Sequence, residues 1–151
     1  MADPIILLLS GPNLDLLGER QPEVYGTATL DDHVATATAE AARHDLAVEH
    51  LQSNHEGDLV EAVHGARGRC AAIVVNAGAL THYGWSLHDA LATFEGPVVE
   101  LHISNPGGRE PWRHTSVIAP VASGTVAGFG GDGYRLALDA AAHLLGRSAA
   151  R

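Results

Sequence analysis

Short strand-like runs rich in apolar residues alternate with longer stretches of helical periodicity along the whole chain. This alternation is typical of repeated β-α units, in which helices cover the faces of a parallel sheet. The first and third runs are apolar throughout, as expected for strands buried on both faces. The pattern predicts strands at residues 4–9, 47–52, 71–75, 98–103 and 117–119, and helices at 29–44, 57–67, 86–93 and 134–145.

Five strands with intervening helices predict one α/β domain over residues 1–151, with a flavodoxin-like, doubly wound, five-stranded parallel sheet in the order 2-1-3-4-5. Thr29 and Asp32 have the spacing of a capping box and place the start of the first long helix. Hydrophobic residues make up 46% of the chain but aromatic residues only 5%. The core is therefore expected to consist of Ala, Val, Leu and Ile.

Charge and cysteine content exclude several classes of partner. Acidic residues outnumber basic ones 18 to 9, and no basic stripe is present, so we expect no nucleic-acid partner. The single cysteine, Cys70, cannot form an internal disulfide bond, which fits a reducing compartment. No apolar run is long enough for a membrane span or a signal peptide. We therefore expect a cytoplasmic protein without a membrane partner.

Polar side chains collect where predicted strands end. Asn13, Asn76 and His102 follow or close strands one, three and four. In the order 2-1-3-4-5 these strand ends are neighbours, and open α/β sheets bind ligands at this edge, where the strand order reverses. The fold prediction thus places a site at these three residues.

Four segments concentrate polar residues: GPNLDLLGERQPEVYG (11–26), QSNHEGDLVEAVH (52–64), NAGALTHYGWSLHDAL (76–91) and ELHISNPGGREPWRHTSVIAPVASG (100–124). In order, spacing and intervening residues, together with GFGGDGYRLAL near the end, they resemble type II dehydroquinase. The resemblance implies a flavodoxin-like enzyme that converts 3-dehydroquinate to 3-dehydroshikimate without a metal or cofactor. The shikimate pathway and quinate breakdown both remain open as its context.

The resemblance implies catalytic roles for four residues. Tyr25 corresponds to the base, and Arg20 to the arginine that tunes it. His102 corresponds to the general acid, and Asn13 to a residue that holds a water near the enolate oxygen.

Further residues are implied as substrate contacts. Asn76, His82 and Arg113 match positions that contact hydroxyl groups, and the backbone amides of Ile103 and Ser104 match the carboxylate site.

Two carboxylates and an assembly complete the resemblance. Asp89 matches an acid contributed by a neighbouring subunit, and Glu100 matches the carboxylate beside the acid histidine. Family members form trimers that assemble into a homododecamer, a tetramer of trimers. Trp85 and Trp112 are candidate interface anchors.

These residue types suit the chemistry independently of the resemblance. A phenol, with a reference pKa of about 10, is mostly protonated at neutral pH, so a tyrosine base needs a neighbouring positive charge. Arg20 lies five residues before Tyr25 and remains charged at all relevant pH values. A histidine suits the protonation of a leaving hydroxide. Glu100 or Asn76 is expected to orient the His102 ring.

Other readings of the motifs are less favoured. None of the ten histidines shows HExxH spacing or a neighbouring cysteine, so no metal site is expected. GFGGDG satisfies GxGxxG but lies near the end of the chain without a following strand, which indicates a closely packed helix-entry turn rather than a dinucleotide site. GWSLH lacks the second glycine of a serine-hydrolase elbow. Four of the histidines are expected to be solvated residues of helices or strand edges: His33, His44, His50 and His143.

Two alternatives remain open beside the dehydratase. One is a non-catalytic flavodoxin-like module that binds a flavin, a nucleotide or a protein. The other is a dehydratase for a related cyclic hydroxy acid. The chain also departs from the family pattern at residues 83–84 and 106–108, which flank the substrate site.

The loop over residues 16–27 carries both Arg20 and Tyr25, contains Gly18 and Gly26 and lacks an apolar period. We expect it to be a mobile lid that orders over the substrate.

Overall fold

A computed structural model describes residues 2–147 as one five-stranded parallel sheet with helices on both faces. Numbered in chain order, the strands lie in the order 2-1-3-4-5, which confirms the predicted flavodoxin-like topology. The register places Ser10 of the first strand opposite Gln52 of the second and Asn76 of the third, so these strand ends lie side by side. The strands are β1 (Ile5–Ser10), β2 (Ala47–Gln52), β3 (Ala72–Asn76), β4 (Val98–His102) and β5 (Gly124–Ala127).

Four long helices begin and end within two residues of their predicted positions. The Thr29 side chain and the Asp32 side chain form the predicted capping box. One further helical turn and five short 3-10 turns occur outside the predicted helices, and the last 3-10 turn begins at Ala119, within the predicted fifth strand. The helices are α1 (Pro22–Tyr25), α2 (Leu30–Arg43), α3 (Glu56–Ala66), α4 (Trp85–Ala92) and α5 (Asp132–Leu144). None of the helices within residues 2–147 has the length and apolar character needed to cross a membrane.

The sheet divides the core into two layers because successive side chains of a strand point to opposite faces. Ile6 and Leu8 pack with residues of α2 and α5, whereas Leu7 and Leu9 pack with residues of α3 and α4. All four leucine and isoleucine side chains are at most 2% exposed. Each such burial contributes about 1.5–3 kcal/mol before entropy costs. The continuous apolar run in β1 is thus explained by burial on both faces.

The prediction of the fifth strand at residues 117–119 is wrong. Val117 and Ile118 are buried, but they hold a loop against the core beside α3 and α4 instead of joining the sheet. The Val117 backbone N–H donates to the Thr81 carbonyl, away from any strand. β5 is a four-residue edge strand that pairs only with β4 among the described strands, and its partly exposed side chains lack a core-strand pattern.

The prediction that His33 and His44 are solvated is also wrong. His33 is 4% exposed and stacks on Tyr134 of α5, with ring centroids 4.7 Å apart. His44 is 3% exposed, and its Nε2 lies 3.1 Å from a carboxylate oxygen of Glu40. His50 is half-buried, and only His143 of the four is exposed.

The glycine-rich segment before α5 is a closely packed helix-entry turn, as predicted. A Cβ atom on Gly131 would lie 2.5 Å from Cε1 of His33, so the stacked histidine occupies the space that a side chain would need. Of the GxGxxG glycines, Gly133 is also closely packed, because a Cβ atom there would lie 3.1 Å from Cδ1 of Leu101.

Candidate active site

A cavity at the carboxyl edge of the sheet brings together most of the residues singled out from the sequence. It lies over the ends of β1, β3 and β4, where the strand order reverses, as expected for this topology. The predicted residues that line it are Asn13, Arg20, Tyr25, Asn76, His82, His102, Ile103, Ser104 and Arg113.

The loops after β1 and β3 form the floor of this cavity. Gly11 donates its N–H to the Asn76 carbonyl at 2.8 Å. A Cβ atom on Gly11 would lie 2.3 Å from the Ala77 carbonyl oxygen, so glycine is required for the two loops to meet. Asn13 has a φ of 69° and its backbone N–H donates to Oδ1 of Asn54 at 2.9 Å. Asn54 was missed by sequence reasoning, although it lies in the quoted segment 52–64.

Two arginines flank the Tyr25 ring. The guanidinium carbon of Arg20 lies 5.1 Å from the ring centroid, and that of Arg109 lies 5.2 Å from it. Nη1 of Arg109 also donates a hydrogen bond to the Tyr25 hydroxyl oxygen at 2.8 Å. Arg109 was missed by sequence reasoning because its contact with Tyr25 is formed only by the fold. Both positive charges favour a negative charge on the phenol oxygen.

Arg109 extends from the phenol to the loop after β4. The same Nη1 donates to Oγ of Ser104 at 3.1 Å. Ser104 was expected at the carboxylate-binding end of the substrate. Arg109 therefore joins that end of the cavity to the Tyr25 hydroxyl. Glu110 lies 3.6 Å from Nε of Arg109 and offsets part of its charge.

His102 and Glu100 form a buried pair on β4. Nε2 of His102 lies 2.5 Å from Oε2 of Glu100, and the two residues are 9% and 2% exposed. Burial acts to raise the pKa of Glu100, but hydrogen bonds from His102, Ser116 and Thr125 and the His102 charge bring it below the ordinary value. A carboxylate only accepts hydrogen bonds, so Nε2 carries the proton, and the contact with Glu100 does not use Nδ1.

Glu100, and not Asn76, therefore orients the His102 ring. Asn76 is held by other groups: its Oδ1 accepts from the Gly78 N–H at 3.3 Å, and its Nδ2 lies 3.4 Å from the Tyr134 hydroxyl. Burial raises the pKa of Tyr134 to about 12. Tyr134 thus stays a neutral hydrogen-bonding group beneath the cavity.

His82 and Arg113 approach the cavity from the side of α4. Nδ1 of His82 donates to the Thr115 carbonyl at 2.7 Å, because a carbonyl can only accept. Nε of Arg113 donates to Oε2 of Glu110 at 3.1 Å. Both side chains retain nitrogen atoms with which they can contact a ligand.

Asp89 does not line the cavity of its own chain. It lies on α4 with its side chain 83% exposed and contacts only Nδ1 of His88, at 3.0 Å, in the described part of the chain. Trp85, on the same helix, is 62% exposed, and Trp112 is 51% exposed.

The segments that depart from the family pattern flank the cavity. Pro106 is part of its lining and begins a 3-10 turn, in which Oδ1 of Asn105 accepts from the Gly107 N–H at 3.2 Å. Tyr83 is 60% exposed. A Cβ atom on Gly84 would lie 2.7 Å from the Leu80 carbonyl oxygen, so a larger residue there would need a shift of the backbone.

One group with metal-ligand chemistry occurs within residues 2–147, and it lies on α2 and α5 instead of in the cavity. Glu40, His44 and Asp139 bring their ligand atoms within 4.8 Å of one another. Arg43 donates to Glu40 at 3.0 Å, and His44 lies 3.1 Å from both carboxylates. These contacts account for the cluster as an ion-pair network.

The fold and the cavity define a class: an α/β chain of flavodoxin-like topology with a candidate acid-base site at its switch point. The dehydroquinase class II family model matches residues 4–142. The chain belongs to the class II dehydroquinase family.

Curated relatives and solved structures agree with this membership. The chain is 57% identical over 140 residues to a 3-dehydroquinate dehydratase of Ruegeria pomeroyi, covering 92% of this chain and 94% of the relative. It is 55% identical over 139 residues to one of Corynebacterium glutamicum, covering 92% and 96%. The type II dehydroquinase structure from Propionibacterium acnes superposes with a TM-score of 0.89 at 39% identity, covering 94% of this chain and 98% of that one.

Proposed function

We propose that this chain is a 3-dehydroquinate dehydratase, a hydro-lyase that converts 3-dehydroquinate to 3-dehydroshikimate and water. The observation that carries the proposal is the shared cavity of Tyr25 and His102, in which Arg109 donates to the phenol oxygen. The cavity thus holds a stabilised oxygen base and an imidazole acid, the two groups that a dehydration next to a ketone requires.

Tyr25 acts as the base. As a phenolate, it takes a proton from the carbon next to the substrate ketone, and the electron pair of that C–H bond forms an enolate. Arg20 and Arg109 stabilise the phenolate by charge, and Arg109 also by its hydrogen bond at 2.8 Å. Asn13 holds a water that donates to the enolate oxygen. Such a preorganised donor typically contributes about 3 kcal/mol.

His102 acts as the acid. The enolate reforms the ketone and expels hydroxide, and the imidazolium protonates this leaving group to give water. Glu100 holds the ring with Nε2 turned inward and stabilises its positive charge. The base and the acid act on opposite faces of the substrate ring, so the loss of water is anti. Proton transfer through solvent then returns Tyr25 and His102 to their starting states.

The remaining residues bind the substrate. The backbone amides of Ile103 and Ser104 bind its carboxylate at the end of β4, a position at which backbone N–H groups favour anions. Asn76, His82 and Arg113 contact its hydroxyl groups. The reaction uses no metal or organic cofactor, because the protein supplies the acid and the base and holds the water that donates to the enolate oxygen.

The active assembly is a homododecamer built of trimers, in which Asp89 reaches the cavity of a neighbouring copy. Its 83% exposure and the exposed Trp85 on the same helix support this role, since both are free to contact another subunit. Light scattering measures the mass of this assembly. The enzyme serves the shikimate pathway or quinate breakdown in the cytoplasm.

The test is an optical assay on metal-stripped protein. Dehydration of 3-dehydroquinate forms a conjugated enone, so absorbance in the ultraviolet should rise with wild-type enzyme and stay nearly flat with Tyr25→Phe. Retained activity after metal removal supports the cofactor-free mechanism. A colourless preparation is expected, whereas a yellow flavoprotein without turnover would support the binding-module alternative instead. Faster turnover of a different cyclic hydroxy acid would replace the proposed substrate.

A further inference from the structure

A short segment after the Arg113 turn contacts His82 directly and is linked to His102 through Glu100. The Thr115 carbonyl accepts from Nδ1 of His82 at 2.7 Å. The next residue, Ser116, donates from Oγ to Oε2 of Glu100 at 2.8 Å. Glu100 in turn holds His102 through the same oxygen. Thr115 therefore contacts one imidazole ring directly, and the next residue, Ser116, contacts the carboxylate that holds the other ring.

Ser116 is itself fixed in place by the backbone that follows it. Its Oγ accepts from the N–H groups of Ile118 and Ala119, at 3.1 and 3.0 Å. With these two donors on its lone pairs, the hydroxyl hydrogen is directed to Glu100. Ile118 is fully buried in the core layer beside α3 and α4. The position of the hydroxyl is thus set by the core and not by a mobile side chain.

We propose that Ser116 is a positioning residue of the dehydration reaction, which acts through Glu100 to set the orientation and the acid strength of His102. This inference rests on the proposed function of His102 as general acid. Ser116 and His102 both donate hydrogen bonds to the same oxygen, Oε2 of Glu100. Each hydrogen bond uses part of the negative charge on that oxygen, so each one weakens the other. The Ser116 hydrogen bond therefore weakens the hold of Glu100 on the imidazolium proton and makes His102 a better proton donor.

A second hydroxyl group acts on the other oxygen of the same carboxylate. Oγ1 of Thr125, on β5, donates to Oε1 of Glu100 at 3.4 Å. This longer hydrogen bond is expected to have a smaller effect. Thr125 makes no hydrogen bond in the turn that Ser116 closes. Removing the Thr125 hydroxyl therefore tests the effect of a lost hydrogen bond to Glu100 without disturbing that turn. The other ionisable groups that line the cavities around His102 are Arg20, Tyr25, His82, Arg109, Arg113 and His114.

The experiment compares Ser116→Ala, Ser116→Thr and Thr125→Val with the wild type. Ser116→Ala should lower kcat about tenfold, part of the 10²–10⁴-fold that a general acid supplies, with little change in KM. It should also move the alkaline limb of the kcat-pH profile upward by about half a unit, because the imidazolium keeps its proton to higher pH. Ser116→Thr retains the hydroxyl and should restore both values, and Thr125→Val should give a smaller shift in the same direction.

A structural role alone would change the melting temperature but not the pH profile. If the Ser116→Ala profile superimposes on that of the wild type, or if Ser116→Thr behaves like Ser116→Ala, the proposal is overturned.

A second measurement separates this proposal from the proposed function. NMR titration of the His102 ring in [15N]histidine-labelled free protein, assigned with His102→Asn, needs no turnover. An upward shift of the titration midpoint in Ser116→Ala supports the positioning role even if 3-dehydroquinate is not the substrate. An unchanged midpoint overturns it even if the enzyme is active.

Discussion

The Tyr25 hydroxyl oxygen accepts a hydrogen bond from Arg109 at 2.8 Å, across 84 positions of sequence. Arg20, only five positions away, lies over the ring but not on the oxygen, with its guanidinium carbon 5.1 Å from the centroid. The arginine nearer in sequence is therefore not the one that donates a hydrogen bond to the Tyr25 oxygen.

Arg109→Ala should lower kcat about 10²–10³-fold, because it removes a charged donor aimed at the phenol oxygen. Arg109→Lys should recover only part of this loss, since an ammonium group cannot bond Tyr25 and Ser104 with the same planar geometry. Arg20→Ala should also lower kcat by orders of magnitude through loss of charge beside the ring. Steady-state kinetics measures all three. Arg69→Ala, which removes an exposed ion pair with Glu49 and a hydrogen bond to the Gly65 carbonyl but no residue of the cavity lining, is the control. An Arg109→Ala enzyme near the wild-type rate would contradict the assigned contact.

Asp89→Asn should inactivate the enzyme although Asp89 lies outside the cavity of its own chain, because the residue is proposed to complete a neighbouring site. Tyr25→Phe should be inactive for a different reason. Dissociating and reassembling the two variants together should restore activity, to about a quarter of the wild-type value if subunits mix randomly. Asp3→Asn, another exposed aspartate, should remain active alone. Mixed oligomers without activity would show that the two residues do not share a site across subunits.

The loop over residues 16–27 should gain protection from hydrogen exchange when a carboxylate-bearing substrate analogue binds. Most of its residues are exposed, and the single turn of α1 stands between glycines with φ values of 94° and 81°. Segments with few buried contacts open at low free-energy cost. Mass spectrometry of exchanged peptides measures the change, and amides of β3 serve as the unchanged reference. Equal protection of the loop in both states would count against a lid.

Stability should fall below about pH 6.5 in a way that depends on His33. Burial lowers the pKa of His33, with Asp32 opposing the shift by its charge. Unfolded His33 takes up a proton as pH falls through about 6.5, while folded His33 stays neutral, so acid favours the unfolded state. This contribution to stability is complete above pH 6.5 and is lost as pH falls through the folded pKa.

His33→Phe should therefore flatten the dependence of the free energy of unfolding on pH between about 5 and 7. Urea unfolding at a series of pH values measures the slope, which is independent of any constant packing cost. The same change at exposed His143 is the control and should leave the slope as it is. Part of the slope should persist, because burial also lowers the pKa of His50. An unaltered slope in His33→Phe would refute the assignment.

The sequence predicts the three inner strands β1, β3 and β4 because burial on both faces leaves a strong apolar signal. It also predicts β2, although this strand lies at an edge of the sheet and its side chains are mostly half-buried. It misses β5 because an edge strand of four residues receives its order from β4 and not from its own side chains. At Val117 and Ile118 the sequence predicted a strand where the structure has a loop. Two buried apolar residues can anchor a loop to the core as well as form part of a strand, so their burial does not distinguish the two.

The candidate site was also predicted only in part. Asn13, Asn76 and His102 could be placed from strand ends alone, because parallel strands bring their carboxyl ends together. Arg109 could not be, since nothing local links it to Tyr25. His33 had a signal that was overlooked: with Leu30 and Ala37 it lies on the buried stripe of α2, at helical spacing.

The shape of the cavity floor depends on Gly11, which has no Cβ atom. At Gly11 a methyl group would collide with the Ala77 carbonyl, so the β1 and β3 loops can approach only while position 11 carries hydrogen. The separation between Asn13 and Asn76, and with it the width available to a ligand ring, is therefore encoded in the backbone. Efforts to enlarge the substrate range of this enzyme by exchanging side chains would do better at Pro106, which lines the cavity on a short 3-10 turn outside the sheet and can change without moving the strands.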